Sequence, residues 1–262
     1  MSALLDPIRR LMPSAWKQPL KRRLGLPETR LHPDWSFLEP IGPYRSPHTI
    51  LDIGAHSGWF FHCWLDWCPE ARVHAFEPYP ASYQRACELY GQDPRVTIHP
   101  IGVGAKPGRL PFHVLSESRV SNSFLPPEQQ TWDRVAYQTG SIDTIEAPLT
   151  TVDLFCNEQA IGDIYLMKID VQGFEMEVLQ GCAETLGRVD HILVESGLQQ
   201  LYTNAPRVSD VFNHLTARGF HLMAQRSWHR GNHVLMESDM LFRRDGLEGP
   251  IDPSISRVVV SG

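Results

Sequence analysis

The chain has 262 residues, of which 42% are hydrophobic and 21% charged, and its formal net charge is −6. This length and balance predict one globular core with additions. The acidic balance argues against a general nucleic-acid binder, and no apolar run reaches the ~18 residues of a membrane span. The start carries no secretory signal and the cysteines form no C-x-x-C pair, so we expect a cytoplasmic protein with reduced thiols.

Residues 1–48 form the first predicted segment, a basic N-terminal extension. Residues 1–30 interleave lysines and arginines with leucines and a tryptophan. Two interpretations stay open: a basic amphipathic segment that contacts anionic lipid or an acidic partner, or an arm that packs its apolar side chains on the domain. A domain over residues 49–245 and an irregular tail over residues 246–262 complete the predicted organisation.

The stretch Thr49–Gly58, TILDIGAHSG, is the first dense signal. An apolar run that ends in a glycine turn is typical of a buried parallel strand entering a tight loop, and Gly54 suits backbone that needs a positive φ or a close approach. A predicted helix over 59–67 and a strand over 72–76 follow, and this strand ends in Glu77-Pro78. The order indicates a nucleoside-binding βαβ unit in which Glu77 binds the ribose hydroxyls.

The glycine loop constrains the class of ligand. A dinucleotide fingerprint needs G-x-G-x-x-G and a Walker loop ends in Gly-Lys-Ser/Thr, whereas this loop reads G-A-H-S-G. Asp52 adds a carboxylate inside the strand, which suits a ligand that carries an amine or a cation rather than a phosphate. S-adenosylmethionine is such a ligand, and a nicotinamide cofactor stays as the alternative.

The middle of the chain predicts several short elements and one insertion. We expect a helix over 81–90, a strand over 96–103, and a turn with a further strand over 107–115 that forms a hairpin at the sheet edge. Residues 116–147 are polar and rich in turn residues. An insertion of this length is usually functional, although a disordered surface loop fits equally well. A helix is predicted over 150–158.

The second dense signal is IYLMKID at Ile164–Asp170, followed by VQGFEMEVLQGC. This pattern predicts a strand that turns into a helix, and alternation places Lys168, Asp170 and Gln172 on one face. A buried lysine and aspartate are costly unless they pair with each other or with a ligand. We therefore expect this strand end to belong to the functional site.

A further strand is predicted over 191–196, with Glu195 near its end. Ligands bind outside the carboxyl ends of the strands in open α/β sheets. We therefore expect one crevice to collect four strand-end acids: Asp52, Glu77, Asp170 and Glu195.

The last predicted elements are a helix and two strands. The helix covers 208–218, and its apolar spacing predicts that Val211, Phe212 and Leu215 face inward. The strands cover 220–225 and 240–242. The turn between them carries Trp228, His229 and His233, and an arrangement like that of class I methyltransferases would place it on the crevice side.

Together these stretches resemble the FkbM family of S-adenosylmethionine-dependent methyltransferases. The matching pieces run in the family's order from about Thr49 to Phe242: LDIGAHSGWF, AFEPYP, KIDVQGFEMEVLQG, ILVESGLQQLY and RGFHL…DMLF. His56 stands where the family commonly has Asn, and Val103–Lys106 stands where an acidic or polar residue often follows the third strand. The resemblance implies an α/β fold. We expect a doubly wound, mostly parallel, seven-stranded Rossmann-like sheet with helices on both faces and an antiparallel strand near one edge.

Site roles follow as hypotheses. Cofactor binding is expected of Asp52, Gly54, Ala55, His56, Gly58, Glu77 and Pro78. Catalytic roles are expected of Asp170 or Glu195 as the general base, of Lys168 as the partner that sets the charge of Asp170, and of Glu175. Substrate contacts are expected of Tyr202, Trp228, His229 and His233, and the two histidines are also candidates for the base. A magnesium ion held by Asp170, Glu175 and Glu195 is weighed as an addition, although the spacing gives no metal-specific pattern.

The implied reaction is methyl transfer to a hydroxyl of a sugar, glycan or secondary metabolite. The expected partner is therefore a small-molecule or glycan acceptor and not a nucleic acid. Two alternatives from other classes stay open: a nicotinamide-dependent oxidoreductase on a similar sheet, and a non-catalytic binding protein of the same fold. The strand-end acids argue against the last, because unused buried carboxylates only cost stability.

Overall fold

A computed structural model of the chain describes residues 33–41, 48–116, 121–134, 140–230 and 234–247. The predicted tail over 246–262 and residues 1–32 of the predicted extension therefore lie almost wholly outside the described residues. None of the described helices is long and apolar enough to cross a membrane. The strands are β1 (Thr49–Ile53), β2 (Arg72–Phe76), β3 (Val96–His99), β4 (Gly102–Val103), β5 (Gly108–Leu115), β6 (Ile142–Thr150), β7 (Ile164–Ile169), β8 (Val189–Gly197), β9 (Phe220–Arg230) and β10 (Val234–Arg244). The α-helices are α1 (Trp59–Trp67), α2 (Pro80–Tyr90), α3 (Gln129–Arg134), α4 (Val152–Glu158), α5 (Glu175–Gln180) and α6 (Val208–Thr216), and 3₁₀ helices cover Pro33–Ile41 and Thr185–Arg188.

The main sheet has seven strands in the order β3-β2-β1-β7-β8-β10-β9. Its first five strands are parallel, and β10 runs antiparallel to both of its neighbours. The strand order reverses between β1 and β7, and such a switch point opens a crevice at the carboxyl ends of the strands. The predicted α/β fold, mostly parallel with one antiparallel strand near an edge, is confirmed.

Helices cover both faces of this sheet because successive strand residues point to opposite sides. On β1, Leu51 and Ile53 pack into a core with Val178 of α5 and Leu215 of α6. Ile50 points the other way, into a second core under α1 and the 3₁₀ helix Pro33–Ile41. The described end of the predicted extension therefore packs on the sheet.

A separate three-stranded sheet, β4-β6-β5, lies beside the main one. The predicted strand over 96–103 is in fact split, because its first half pairs with β2 and its second half pairs with β6. The hairpin prediction for 107–115 is wrong in its placement, because β5 pairs with β6 and not with the main sheet. Most of β6 falls within the insertion, where the sequence predicted no strand.

Two further predictions are corrected near the C-terminal end. The last two strands were predicted as short, but each extends over 11 residues. Phe212 was predicted to face inward on α6, but it is 37% exposed, whereas Val211 and Leu215 are buried. Trp132 of the insertion is buried in a small core that it shares with Leu115, Leu201, Tyr202 and Met236 from other parts of the chain.

Candidate active site

A cavity of about 240 Å³ opens at the carboxyl ends of β1, β2 and β7. This is the crevice that the switch point predicts. Its walls combine charged and apolar side chains, because carboxylates and a lysine lie among aromatic rings. The residues that line it include Trp35, Gly54, Ala55, His56, Phe60, Glu77, Pro78, Gly102, Phe112, Asn122, Phe124, Lys168, Asp170 and Gln172.

The glycine loop after β1 is held against the end of β7. Gly54 has φ +83°, and a Cβ built on it would lie 1.8 Å from the carbonyl oxygen of Asp170. Gly58 begins α1 with φ +87°, and a Cβ there would lie 2.4 Å from the ring of Phe61. Side chains at either position would push the loop away from its neighbours, so both glycines are required for this close approach.

Glu77 follows β2 and has an almost fully buried side chain. One of its carboxylate oxygens accepts a hydrogen bond from the backbone N–H of His56 and the other from that of Tyr79, each at 2.8 Å. Burial raises the pKa of Glu77 to about 7, although these two amides and Lys168 act in the opposite direction. Each oxygen keeps a further lone pair, and the residue lies in the cavity wall, so it can accept hydrogen bonds from a ligand.

Lys168 connects the two central strands beneath the cavity. Its Nζ lies 3.2 Å from Asp52 Oδ1, 3.2 Å from Asp170 Oδ2 and 3.2 Å from the carbonyl oxygen of Gly54. Burial lowers the pKa of Lys168, but the carboxylates of Asp170 and Asp52 outweigh it and the pKa is raised. The ammonium group therefore stays charged and fixes both the loop and Asp170.

Asp52 is fully buried and does not line the cavity. It lies directly opposite Lys168 in the parallel register of β1 and β7. Burial raises the pKa of Asp52, an effect that Lys168 opposes. The predicted contact with a ligand amine has no support in this geometry, whereas Asp52 does hold the loop, indirectly, through Lys168.

Asp170 and Glu195 share the side chain of Gln172. The Nε2 of Gln172 donates to Glu195 Oε2 at 2.6 Å and to Asp170 Oδ1 at 3.1 Å. Burial pushes the pKa of Asp170 upward, but Lys168 outweighs it and the pKa is lowered. Burial and the neighbouring Asp170 raise the pKa of Glu195 well above its usual range. Asp170 is therefore ionised near neutral pH, and Glu195 is the weaker acid of the pair, which keeps its proton to a higher pH than Asp170.

Glu175 and Glu195 line a second and much smaller cavity, of about 10 Å³, together with Tyr202. Glu175 is 2% exposed and accepts a hydrogen bond from the backbone N–H of Gly173 at 2.8 Å. Burial raises the pKa of Glu175 to about 8. The Tyr202 hydroxyl lies 3.0 Å from Gln172 Oε1 and 2.8 Å from the carbonyl oxygen of Ser121. Glu175, Glu195 and Tyr202 thus lie behind the main cavity and not in its wall.

The structure brings the predicted site residues together only in part. Gly54, Ala55, His56, Glu77, Pro78, Lys168 and Asp170 line the main cavity. Trp228 and His229 lie on β9, but their side chains fall outside the described part of the chain, as does all of His233. Within the described residues, no three His, Cys, Asp or Glu side chains are grouped so that they could hold a metal ion. The magnesium site weighed at Asp170, Glu175 and Glu195 therefore has no support.

Other cavity residues were not predicted from the sequence. Trp35 reaches the cavity from the 3₁₀ helix, where its ring lies 4.9 Å from that of Phe60 and 5.1 Å from the guanidinium of Arg226. Asn122 and Phe124 reach it from the insertion. The unusual length of the insertion signalled a function, but no local pattern identified these residues.

The family model described as the methyltransferase FkbM domain matches residues 52–222. The chain belongs to the FkbM methyltransferase family. It is 30% identical over 219 residues to the 2-O-methyltransferase NoeI of Sinorhizobium fredii (strain NBRC 101917 / NGR234), covering 81% of this chain and 84% of that protein. It is 25% identical to Methyltransferase 1 of Beauveria bassiana (strain ARSEF 2860), covering 59% of this chain and 67% of that protein.

Among solved structures, the N-methyltransferase NodS of Bradyrhizobium japonicum WM9 aligns with a TM-score of 0.46 and 10% identity, covering 87% of this chain and 98% of that one. The FkbM family match makes the chain a methyltransferase with a Rossmann-like fold. Three expectations stay predictions: that the partner is not a nucleic acid, that the protein is cytoplasmic, and that the N-terminal extension contacts lipid or a partner.

Proposed function

We propose that this FkbM protein is an S-adenosylmethionine-dependent O-methyltransferase whose acceptor is a hydroxyl of a sugar, a glycan or a related metabolite. One observation carries the proposal: Glu77 and the ionised Asp170 lie in the walls of one cavity beside the glycine loop. The similarity to a 2-O-methyltransferase supports oxygen as the methylated atom. The net charge of −6 supports an acceptor other than nucleic acid.

The residues present fit this cofactor. Glu77 offers a carboxylate to the ribose hydroxyls, and two backbone amides already fix its orientation. The loop at Gly54 lies so close to Asp170 that backbone, rather than side chains, forms this part of the wall. S-adenosylmethionine, when bound, supplies an electrophilic methyl group on a sulfonium. The chain must then hold the acceptor oxygen in line with that methyl group, and alignment alone supplies much of the rate in such reactions.

Asp170 is the group we assign to the hydroxyl proton. It lies in the cavity wall and is ionised because Lys168 is 3.2 Å away. Asp170 would accept the hydroxyl proton at Oδ1 or Oδ2 while the acceptor oxygen gains the methyl group and the bond from that methyl to sulfur breaks, which would leave S-adenosylhomocysteine. General base catalysis of this kind contributes about 10²–10⁴-fold.

Glu195 and Glu175 receive a different role in this proposal. Both have raised pKa values and line the small cavity behind Gln172. Glu195 does not line the main cavity, so it is not placed to take the acceptor's proton, but it can hold Gln172 in place through the 2.6 Å hydrogen bond. We therefore place Glu195 as a positioning residue behind Asp170.

Cofactor binding is tested first by calorimetric titration of the purified chain with S-adenosylhomocysteine. We expect micromolar affinity for the wild type and a loss of at least about tenfold in Glu77→Ala, because the ribose hydroxyls lose a charged acceptor. Glu88→Ala on α2 is the matched control, since this glutamate is exposed and lies outside the cavity wall. A folded wild type that binds NAD and not S-adenosylhomocysteine would point to the oxidoreductase instead.

Catalysis is tested by transfer of a labelled methyl group from S-adenosylmethionine to a panel of methyl glycosides, each with its 2-deoxy counterpart. We expect one glycoside to be methylated and its 2-deoxy form to be inert. Asp170→Asn should lower kcat by about 10²–10³-fold while the affinity for S-adenosylhomocysteine changes less than about threefold. Equal losses in kcat and in cofactor affinity would show that Asp170 holds the cofactor rather than the proton.

A further inference from the structure

The insertion places a short strap, residues 121–125, along the wall of the cavity. Three hydrogen bonds of Ser123 hold it there: its Oγ donates to the carbonyl oxygen of Gln172 at 2.7 Å, and its backbone exchanges two hydrogen bonds with that of His113 on β5. The Tyr202 hydroxyl also donates to the carbonyl oxygen of Ser121 at 2.8 Å. The strap is therefore anchored on both sides of Asn122.

The side chain of Asn122 has only one orientation that chemistry permits. The backbone N–H of Leu115 lies 2.9 Å from the amide group of Asn122, and an N–H can only donate. The atom that faces Leu115 must therefore be the amide oxygen, and the NH₂ group is turned away from it.

That NH₂ group has no acceptor among the described residues. The NH₂ nitrogen is not fully buried either, so protein atoms do not enclose it. Asn122 is half-buried and lies in the wall of the main cavity. The structure thus presents a fixed hydrogen-bond donor at the edge of the space that the ligand occupies.

The surroundings of Asn122 show which part of a ligand it faces. Asn122 and Phe124 are two residues apart and both line the cavity, whereas Ser123 between them points to Gln172. The ring of Phe124 packs edge-on against Phe112 at 4.8 Å, and a Cβ on Gly102 would lie 2.6 Å from it. Phe124 and Tyr79 both pack against the cluster that contains Phe112, and Tyr79 is two residues after Glu77, so this wall adjoins the one that we assign to the ribose.

We propose that Asn122 is a specificity-determining residue that donates a hydrogen bond to a ring nitrogen of the cofactor's purine. An apolar wall of aromatic rings suits a flat heteroaromatic base, and a base buried there needs donors for its nitrogens. This inference rests on the proposed function, because it takes S-adenosylmethionine as the molecule in the cavity. It adds a residue of the insertion, outside the strand ends, to the cofactor site.

The test uses Asn122→Asp, which keeps an oxygen for the Leu115 N–H but replaces the donor with an acceptor. Calorimetry with S-adenosylhomocysteine and with adenosine should show both affinities reduced by about tenfold or more. Asn157→Asp on the exposed surface of α4 makes the same change of charge far from the cavity and should leave both affinities unchanged. Thermal unfolding of the ligand-free variants should match the wild type within ~2 °C, which shows that the strap is intact.

Each result decides between distinct conclusions. An unchanged affinity of Asn122→Asp for S-adenosylhomocysteine overturns the proposal. A loss with S-adenosylhomocysteine but not with adenosine places the contact on the amino-acid part and also overturns the assignment to the purine. Failure of the wild type to bind S-adenosylhomocysteine is a separate result, because it contradicts the proposed function itself.

Discussion

The carboxyl group of Glu77 predicts how cofactor binding depends on pH. Burial raises its pKa to about 7, so at pH 6 most of the free protein carries it protonated. Ribose hydroxyls donate to the ionised form, so the ligand must displace a proton below the pKa. We expect the affinity for S-adenosylhomocysteine to rise about tenfold between pH 6 and pH 8 and to level off above, as measured by calorimetry. Glu77→Gln should bind more weakly and show a flat profile. A wild-type profile equally flat would contradict the ribose role.

The pair formed by Lys168 and Asp52 predicts a strong coupling in stability. Lys168→Met leaves Asp52, which is 0% exposed, without its cation. Breaking a buried pair in this way costs about 3–5 kcal/mol, because an uncompensated charge stays in the core. Adding Asp52→Asn to Lys168→Met should recover part of that loss, as measured by denaturant unfolding at pH 7. Additive losses in the double variant would show that the two side chains do not stabilise each other.

The contact between the glycine loop and β7 makes a prediction at the scale of elements. Gly54→Ala places a methyl group 1.8 Å from the Asp170 carbonyl oxygen, in backbone with φ +83°. The loop and the end of β7 must then separate, so both the Tm and the affinity for S-adenosylhomocysteine should fall, the latter by at least about tenfold. Gly187→Ala is the matched control, because a Cβ there meets nothing within 4 Å. A normal affinity in Gly54→Ala would show that the cofactor does not depend on this loop.

The main sheet could be predicted from the sequence because its signals are local. The apolar runs of β1 and β7 end in glycine turns, and both strands are buried along almost their whole length. The strand-end acids were also predictable, since each lies near the end of such a run or directly after it. The sequence did not predict that Asp170 lines the main cavity while Glu195 lies behind it. This difference depends on the turn at Gln172, which has φ +55° and whose side chain bridges the two acids.

The small sheet could not be predicted for the opposite reason. Only the second half of β6 is buried, so its sequence lacks a clear alternation, and its partners β4 and β5 belong to a different part of the chain. Trp35 was missed because only the folded chain brings it to Phe60 and Arg226. The positions of such residues depend on contacts between distant parts of the chain, and the periodicity within one segment does not predict those contacts.

At the scale of the whole molecule, two sheets enclose one cavity. The main sheet supplies the glycine loop and the acids, while the small sheet and the strap supply the opposite aromatic wall. The match to the FkbM family covers residues 52–222, which include the glycine loop, the small sheet and the strap, whereas Trp35 lies before that match. We therefore expect differences in acceptor choice among relatives to follow the segment before β1 rather than the strand ends.

The buried acids behind Gln172 predict that folding stability falls as the pH rises. Glu175 is 2% exposed and its folded pKa is raised to about 8, against a model-peptide value of 4.5. Between these values the folded state binds more protons than the unfolded state, so the free energy of unfolding decreases with pH. Glu195, whose pKa is also raised, adds to the same slope. A neutral amide at residue 175 imitates the protonated acid, so Glu175→Gln should gain on the order of 4 kcal/mol over the wild type at pH 8.5 and less than about 1 kcal/mol at pH 5. Denaturant unfolding across this range measures the effect, with the exposed Glu158→Gln on α4 as the control. A gain of the same size at pH 5 would mean that better packing, and not the titration of Glu175, is responsible.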